Sequence, residues 1–235
     1  MPQTPTTPRN RLLDSIKRSC ALEGSIESVS FPVGHEIAVP GKPLRHFYFP
    51  TSGVLSALVQ LQEGETAETL IIGSEGMVGL SVWLGLSTSL EHILQQAPGE
   101  ILRIPARVFC KRIIGSRRTE RLLKRFTAYS LRFGAQSAVC NSHHDVRQRA
   151  CRWLLDMADR SNSDALNLTQ SLLAHMLGVR RQSVSDLYAK LQRSELIRYG
   201  RSEIQILDRK RLEGLACECY REMRHLYEQL VSPAL

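Results

Sequence analysis

The sequence predicts an α+β fold: an N-terminal antiparallel β-roll, a long helix, and a C-terminal winged helix-turn-helix. Three observations lead there. Nine of the ten prolines and ten of the fifteen glycines fall at or before residue 105, so the front of the chain is rich in turns and the back is helical. Charge is segregated too: residues 1–100 carry a net −4, residues 101–140 a net +9 and residues 141–235 a net +3, within a total of +8. Finally, the period of the apolar residues changes after Pro105 from short runs to helical spacing. At 235 residues, with 43% hydrophobic and 23% charged residues, the chain is long enough for one large core or two smaller ones.

Residues 1–10 form a Pro/Thr-rich tail expected to be disordered. Residues 11–115 are expected to make the roll with flanking helices. From Arg11 to Ala21, Leu12, Leu13, Ile16 and Cys20 are spaced as on a short amphipathic helix. Strands are predicted at Ile26–Phe31, Glu36–Val39, His46–Phe49, Val54–Leu61, Thr69–Ile72, His92–Gln96 and Glu100–Ile104, cut by Gly34, Pro40-Gly41, Gly53, Gly64, Gly73, Gly76 and Pro98-Gly99. Pro105 to Ile114 reads as a short helix with proline in its first turn.

Residues 116–141 are predicted to be a dimerisation helix. Leu122, Phe126, Tyr129, Phe133, Gln136 and Cys140 step by four and three, a heptad seam. Such a seam serves either to pack on its own domain or to pair with a second copy. The charged residues Arg121, Lys124, Arg125 and Arg132 on other faces favour pairing into a homodimer. Residues 142–235 are assigned to the second domain, opening with a helix from Asp145 to Arg160 whose apolar stripe is Val146, Ala150, Trp153, Leu154 and Met157.

The most informative stretch is TQSLLAHMLGVRRQSVSDLYAKLQRSEL, residues 169–196. Thr169 is a good helix N-cap, and Leu172, Leu173, Met176 and Leu177 follow at helical spacing. Gly178 supplies a left-handed turn, and a second helix follows with Val184, Leu187, Tyr188 and Leu191 inward. Ala174 is small where two crossing helices meet. Leu196–Tyr199, a turn at Gly200-Arg201-Ser202 and Glu203–Leu207 then read as a hairpin, which makes the motif a winged helix.

A helix entering the major groove reads bases from its N-terminal end. Arginine bridges guanine O6 and N7, and glutamine bridges adenine N6 and N7. Arg181, Gln182 and Ser185 are therefore the base-reading candidates, and Thr169, Arg180, Ser183, Lys190 and Arg201 suit phosphates. The expected partner is double-stranded DNA.

In this order, the segments resemble the Crp–Fnr family of bacterial transcription regulators. The resemblance is most specific over LTQSLLAHMLGVRRQSVSDLYAKLQRSELIRYGRSEIQILD, residues 168–208, and extends to Phe47-Tyr48-Phe49-Pro50 with Gly53 and to Gly73-Ser74-Glu75-Gly76-Met77-Val78-Gly79-Leu80. It implies a cyclic-nucleotide-binding-like roll, a homodimer on a near-palindromic site with recognition helices about 34 Å apart, and contact with RNA polymerase. Where the family commonly has an Arg-Glu pair and a later arginine, this sequence has Arg181, Gln182 and Asp186. Guanine reading by Arg181 should survive, but the usual half-site should not be assumed.

The resemblance also bears on effectors. Leu80 falls near the position of the glutamate that holds the ribose, and Ser87-Thr88-Ser89 stands where the phosphate-pairing arginine belongs. Tight binding of cyclic AMP or cyclic GMP is therefore not expected. Cys20 alone stands near the N-terminus, so an iron–sulfur cluster is not expected either. Haem needs a single ligand, for which His35, His46 and His92 are candidates. The effector is left unassigned, and no cofactor or metal is predicted.

The six cysteines, at 20, 110, 140, 151, 217 and 219, show neither a disulfide framework nor a repeated CxxC, and are read as reduced thiols. Cys217 and Cys219, two apart on an expected helix, should face different directions. His143-His144 near the hinge could hold a metal or sense pH, but is read first as the start of the next helix.

No apolar run approaches the roughly 20 residues of a membrane span, and MPQTPTTPRN lacks the hydrophobic core of a signal peptide. A cytoplasmic location away from membrane is expected. No nucleophile with a neighbouring base, no paired carboxylates and no P-loop emerge, since Gly73–Gly79 lacks the lysine; the chain is not expected to be an enzyme. The alternative from another class is a ligand-binding regulatory subunit acting through protein–protein contact, against which the arginine-headed second helix and the wing argue.

Overall fold

The structure, a computed structural model, describes residues 9–60, 62, 66–200 and 203–234. The roll opens with α1 (Arg11–Lys17), capped by Asn10, whose side chain accepts from Leu13 N–H and donates to the Pro50 and Gly76 carbonyls at 2.8 Å, so the tail expected to be disordered stops short of Asn10; its residues 1–8 lie outside the described residues. Its strands are β1 (Glu27–Val29), β2 (Glu36–Ala38), β3 (His46–Pro50), β4 (Val54–Gln60), β5 (Thr66–Ile72), β6 (His92–Ala97) and β7 (Ile101–Pro105). Two antiparallel sheets result, ordered β1-β7-β3 and β2-β6-β4-β5. Each predicted strand has its counterpart here; Leu61, the predicted end of the fourth, lies outside the described residues.

The glycine-rich turn after β5 leads into a short helix, α2 (Leu80–Trp83). Gly79 is needed twice over. Its φ of +130° is one that side chains rarely adopt, and a Cβ there would sit 2.3 Å from the Phe47 ring. Phe47 and Phe49 in turn pack on Phe109 of α3 (Ala106–Ile113), with ring centroids 4.2 and 5.7 Å apart.

Strand β4 is buried on both faces. Leu55 and Ala57 point into the roll, whereas Val54 and Leu58, with Ile71 of β5, join the core of the second domain. Burial on both faces is why the run is almost continuously apolar instead of alternating. The register shift beside it, from Ala57 opposite Leu70 to Leu58 opposite Glu68, leaves Thr69 of β5 as the extra residue.

The long helix α4 (Arg117–His143) is capped by Ser116, which accepts from Thr119 N–H. The heptad seam corrects one expectation. Leu122, Phe126, Tyr129, Phe133 and Cys140 are all buried within the single chain, and Gln136 is half-buried, donating to Cys219 Sγ at 2.9 Å. They pack on the roll, on α5 (Val146–Ser161) and on α9 (Cys219–Leu230), so they cannot also form the face offered to a second copy. Spacing identifies an apolar stripe but does not say what covers it. Along the middle of α4, the residues left exposed are Arg121, Lys124, Ala128, Leu131, Arg132, Ala135, Ala138 and Val139.

Helix α5 starts at a capping box between Asp145 and Gln148 and ends at Asn162 in the left-handed conformation. Strand β8 (Ala165–Asn167), helices α6 (Gln170–Leu177) and α7 (Arg181–Arg193), strands β9 (Ile197–Tyr199) and β10 (Glu203–Ile206), and α8 (Arg209–Leu215) complete the second domain. Its sheet is ordered β8-β10-β9, so the predicted hairpin is in fact a three-stranded wing.

A second difference concerns the C-terminal helix. Although assigned by sequence to the second domain, α9 returns to the first. Met223, Tyr227 and Val231 belong to the roll's core, Tyr227 meets Tyr129 edge-on at 5.3 Å, and its hydroxyl donates to the Glu75 carbonyl at 3.0 Å.

Candidate nucleic-acid interface

Helices α6 and α7 are joined by a glycine-capped turn. Gly178 adopts φ +63°, ψ +40°; its N–H reaches the His175 carbonyl at 3.2 Å and Val179 N–H reaches the Ala174 carbonyl at 3.0 Å, a Schellman closure. No atom lies within 4 Å of a Cβ placed at Gly178, so backbone conformation alone calls for glycine there. Leu173, Leu177, Val184 and Leu187 fill the small core, with Ala174 5% exposed. Arg149 of α5 donates to the Leu177 carbonyl and so holds the end of α6.

On α7, burial of Val184, Leu187, Tyr188 and Leu191 turns the opposite face outward. Arg180, Arg181, Gln182, Ser183, Asp186 and Lys190 are exposed and Ser185 is half-buried, as the helical period requires. Arg180 caps α7 without a side-chain bond, leaving backbone N–H groups at its N-terminus for an anion. Gln182 Nε2 donates to Asp186 Oδ1 at 2.9 Å, one turn on; this contact pre-orients the carboxamide. Thr169 is exposed and caps α6, its hydroxyl accepting from Leu172 N–H at 3.2 Å. Arg201 lies outside the described residues. The wing is anchored to α7 by Tyr188 against Tyr199, 5.0 Å between centroids, and by Gln192 accepting from Tyr199 N–H at 3.1 Å.

Polar contacts that sequence reasoning missed tie this unit to the roll. Glu68 of β5 accepts from Ser56 Oγ at 2.6 Å and from Trp153 Nε1 of α5 at 2.8 Å, and burial pushes its carboxyl up to about 7. Arg160 Nε lies 3.0 Å from Glu75 Oε1 and donates to the Ile71 carbonyl, while its Nη1 meets Asp156 Oδ1 at 2.9 Å. Asp156 also holds Arg152 at 3.0 Å. The one available signal was the i, i+4 spacing of Arg152, Asp156 and Arg160 along the helix that also carries the predicted apolar stripe.

Within the roll, Leu80 packs on the apolar core and Ser89 Oγ donates to the Glu91 carbonyl at 2.8 Å. Of the histidines raised as haem ligands, His92 pairs with Glu36 at 2.7 Å and His35 stacks on Phe31 at 4.4 Å. His46 has its pKa lowered by burial and then by the nearby Arg103.

The cysteines bring the largest surprise. The chain breaks out of helix at Ala216, which is extended (φ −71°, ψ 153°), so Cys217 precedes α9 and Cys219 opens it. The two therefore do not diverge as on one helix: they converge with Cys140 and His144, and the four ligand-capable atoms all lie within 4.8 Å of one another. A hydrogen bond with Cys217 holds the Cys140 thiol below its ordinary pKa and raises that of Cys217 correspondingly.

Comparison with known proteins agrees with the geometry. Residues 148–215 match the Crp-like helix-turn-helix domain. Among solved structures, FixK2 from Bradyrhizobium japonicum superposes with a TM-score of 0.69 at 17% identity, over 82% of this chain and 98% of that one. A Crp-family transcriptional regulator from Thermus thermophilus gives 0.66 at 19%, over 80% and 96%. The c-di-GMP-responsive global regulator CLP from Xanthomonas campestris gives 0.62 at 18%, over 83% and 99%. A comparison with curated proteins found no match. No helix among the described residues is long and apolar enough to cross a membrane. The chain thus joins a Crp-like helix-turn-helix domain to the fold of the Crp–Fnr transcription regulators.

Proposed function

We propose that the protein is a dimeric, cytoplasmic, sequence-specific DNA-binding transcription regulator, with no catalytic activity, whose roll controls the DNA-binding heads. The observation that carries this is α7: an uncapped N-terminus with Arg180, Arg181, Gln182 and Ser183 exposed in its first turn, on a helix held rigidly by α5, α6 and the wing. Arg181, Gln182 and Ser185 face the bases, Arg181 taking guanine. Thr169, Arg180, Ser183, Lys190 and Arg201 take phosphates.

Pairing into a homodimer uses the exposed face of α4 in place of the buried seam. Ala128, Leu131, Ala135 and Ala138 are spaced 3, 4 and 3, and Leu131 is 73% exposed. Small side chains on both sides of Leu131 let a second copy of the helix approach closely. Two recognition helices then lie about one DNA turn apart on a near-palindromic site. Contact with RNA polymerase belongs to the same reading. The direct inter-domain bonds through Glu68, Glu75 and Arg160 would let the roll bias where the heads sit. Leu80 and Ser87-Thr88-Ser89 offer a cyclic phosphate no cation, so regulation by cyclic AMP or cyclic GMP is not part of the proposal.

The test is selection from a random-duplex library by the purified, reduced protein, with Arg181→Ala alongside. A two-fold symmetric site that the variant loses is the expected result. Sequence-blind binding by both proteins would overturn base reading by α7.

A further inference from the structure

Three cysteines and a histidine from distant parts of the chain meet at the hinge. Cys140 and His144 are one turn apart at the end of α4, and Cys217 and Cys219 flank the start of α9. Cys140 Sγ lies 3.5 Å from Cys217 Sγ, and Cys219 Sγ lies 3.6 Å from His144 Nδ1. A tetrahedral ion with thiolate arms of about 2.3 Å spaces its sulfurs about 3.8 Å apart, so these separations leave one ion's worth of adjustment.

We propose that Cys140, His144, Cys217 and Cys219 form a closed, four-ligand site for a single divalent cation of the zinc class.

Donor chemistry selects the class. Three soft thiolates with one imidazole favour zinc over the oxygen-seeking magnesium or calcium. The three cysteines are buried, at 0%, 3% and 1% exposure, which suits a structural site with four protein ligands better than a catalytic one with an open position. The surroundings fit as well. While His144 Nδ1 faces Cys219, its Nε2 lies 3.1 Å from Glu218 Oε2, the carboxylate–histidine arrangement that orients a ligating imidazole. Gln136 Nε2, 2.9 Å from Cys219 Sγ, supplies a hydrogen bond to a thiolate. Three thiolates with one divalent cation carry a net −1. Buried Arg149 and Arg152 are electrostatically coupled to Cys140, and the Nε of each has no hydrogen-bond partner. Their charge offsets that of the loaded site.

The four ligands join the end of the long helix to the start of the helix that returns to the roll. A bound ion would clamp the hinge beneath the second domain. This inference does not depend on what α7 reads.

The experiment uses the full chain, without a polyhistidine tag, purified with a non-chelating phosphine reductant. Elemental analysis should find about one zinc per chain. Replacement by cobalt should give the visible bands of a tetrahedral thiolate site, with thiolate-to-cobalt charge transfer. Cys140→Ser and Cys217→Ser should lose the metal, Cys110→Ser on α3 should keep it, and Glu218→Gln should bind roughly 10-fold more weakly. His144→Cys, which preserves four ligands, should retain the ion with an altered cobalt spectrum even if a serine variant fails to fold. Substoichiometric metal with no tetrahedral cobalt spectrum in the unaltered chain would overturn the proposal. So would equal retention by Cys140→Ser and Cys110→Ser, or a Cys140–Cys217 disulfide that persists under reductant and excludes the ion.

Discussion

Arg160 of α5 and Glu75 of the glycine-rich turn form a buried ion pair, Nε to Oε1 at 3.0 Å, with side chains 8% and 10% exposed. The pair spans the two domains. Asp156 lies on the other side of the guanidinium, and the Phe133 ring lies 5.5 Å from its carbon. Both carboxylates raise the affinity of Arg160 for its proton against the opposing effect of burial, so the cation is held in place.

Removing one partner of such a pair strands a charge. Arg160→Met should therefore destabilise the fold by about 3–5 kcal/mol in denaturant unfolding. Glu75→Gln should cost less, because Asp156 still faces the arginine. The double variant should fall well short of the sum, since Arg160→Met leaves the Glu75 carboxylate uncompensated and Glu75→Gln then removes that charge. Gly73→Ala should mimic a partial loss, its Cβ falling 2.5 Å from Arg160 Cβ.

Glu68 gives stability a pH dependence. Its carboxyl rises from an ordinary 4.5 to about 7 in the folded chain, chiefly by burial. The folded state then binds the proton more tightly than the unfolded one, so this contribution is fullest below pH 4.5 and is lost as pH rises through about 7. Glu68→Gln should remove a slope worth on the order of 3 kcal/mol across that window, measured as midpoints of unfolding at a series of pH values.

Two residues on one helix should separate association from folding. Leu131→Glu should abolish dimerisation in sedimentation experiments while leaving unfolding of the monomer nearly unchanged. Phe133→Ala, two positions on but buried, should cost about 3–5 kcal/mol of stability. Dimers that survive Leu131→Glu would place the contact elsewhere.

On DNA, Arg181→Ala should relax preference at one base pair by about 1–3 kcal/mol. Lys190→Ala should weaken binding to all sequences alike and lower the salt slope by about 1. Competition titrations at several salt concentrations distinguish the two.

Strands, turns and the helix-turn-helix were legible because each is written locally. Gly178, Thr169 and the inward spacing of Val184, Leu187 and Leu191 carry their structural reasons with them. The exposed face of α7 followed from the same period. What covers a stripe was not legible: Phe126 and Phe133 look alike whether they meet a second copy or the chain's own roll. Contacts between distant segments were hidden as well. Glu68 and Trp153 are 85 residues apart, and Cys140 and Cys217 are 77 apart. Cys217 and Cys219 could be recognised as converging only once the break at Ala216 was known. Short β8, at three residues, is too brief for its alternation to mark it in the sequence.

The return of α9 sets an order of assembly. Met223, Tyr227 and Val231 complete a core whose other members lie between Leu12 and Phe133. During synthesis the roll must therefore wait, with part of its apolar surface uncovered, until the whole helix-turn-helix has left the ribosome. A fragment cut at the hinge would keep that exposed patch permanently. Expressed alone, the roll should aggregate unless the last helix is supplied as a separate peptide.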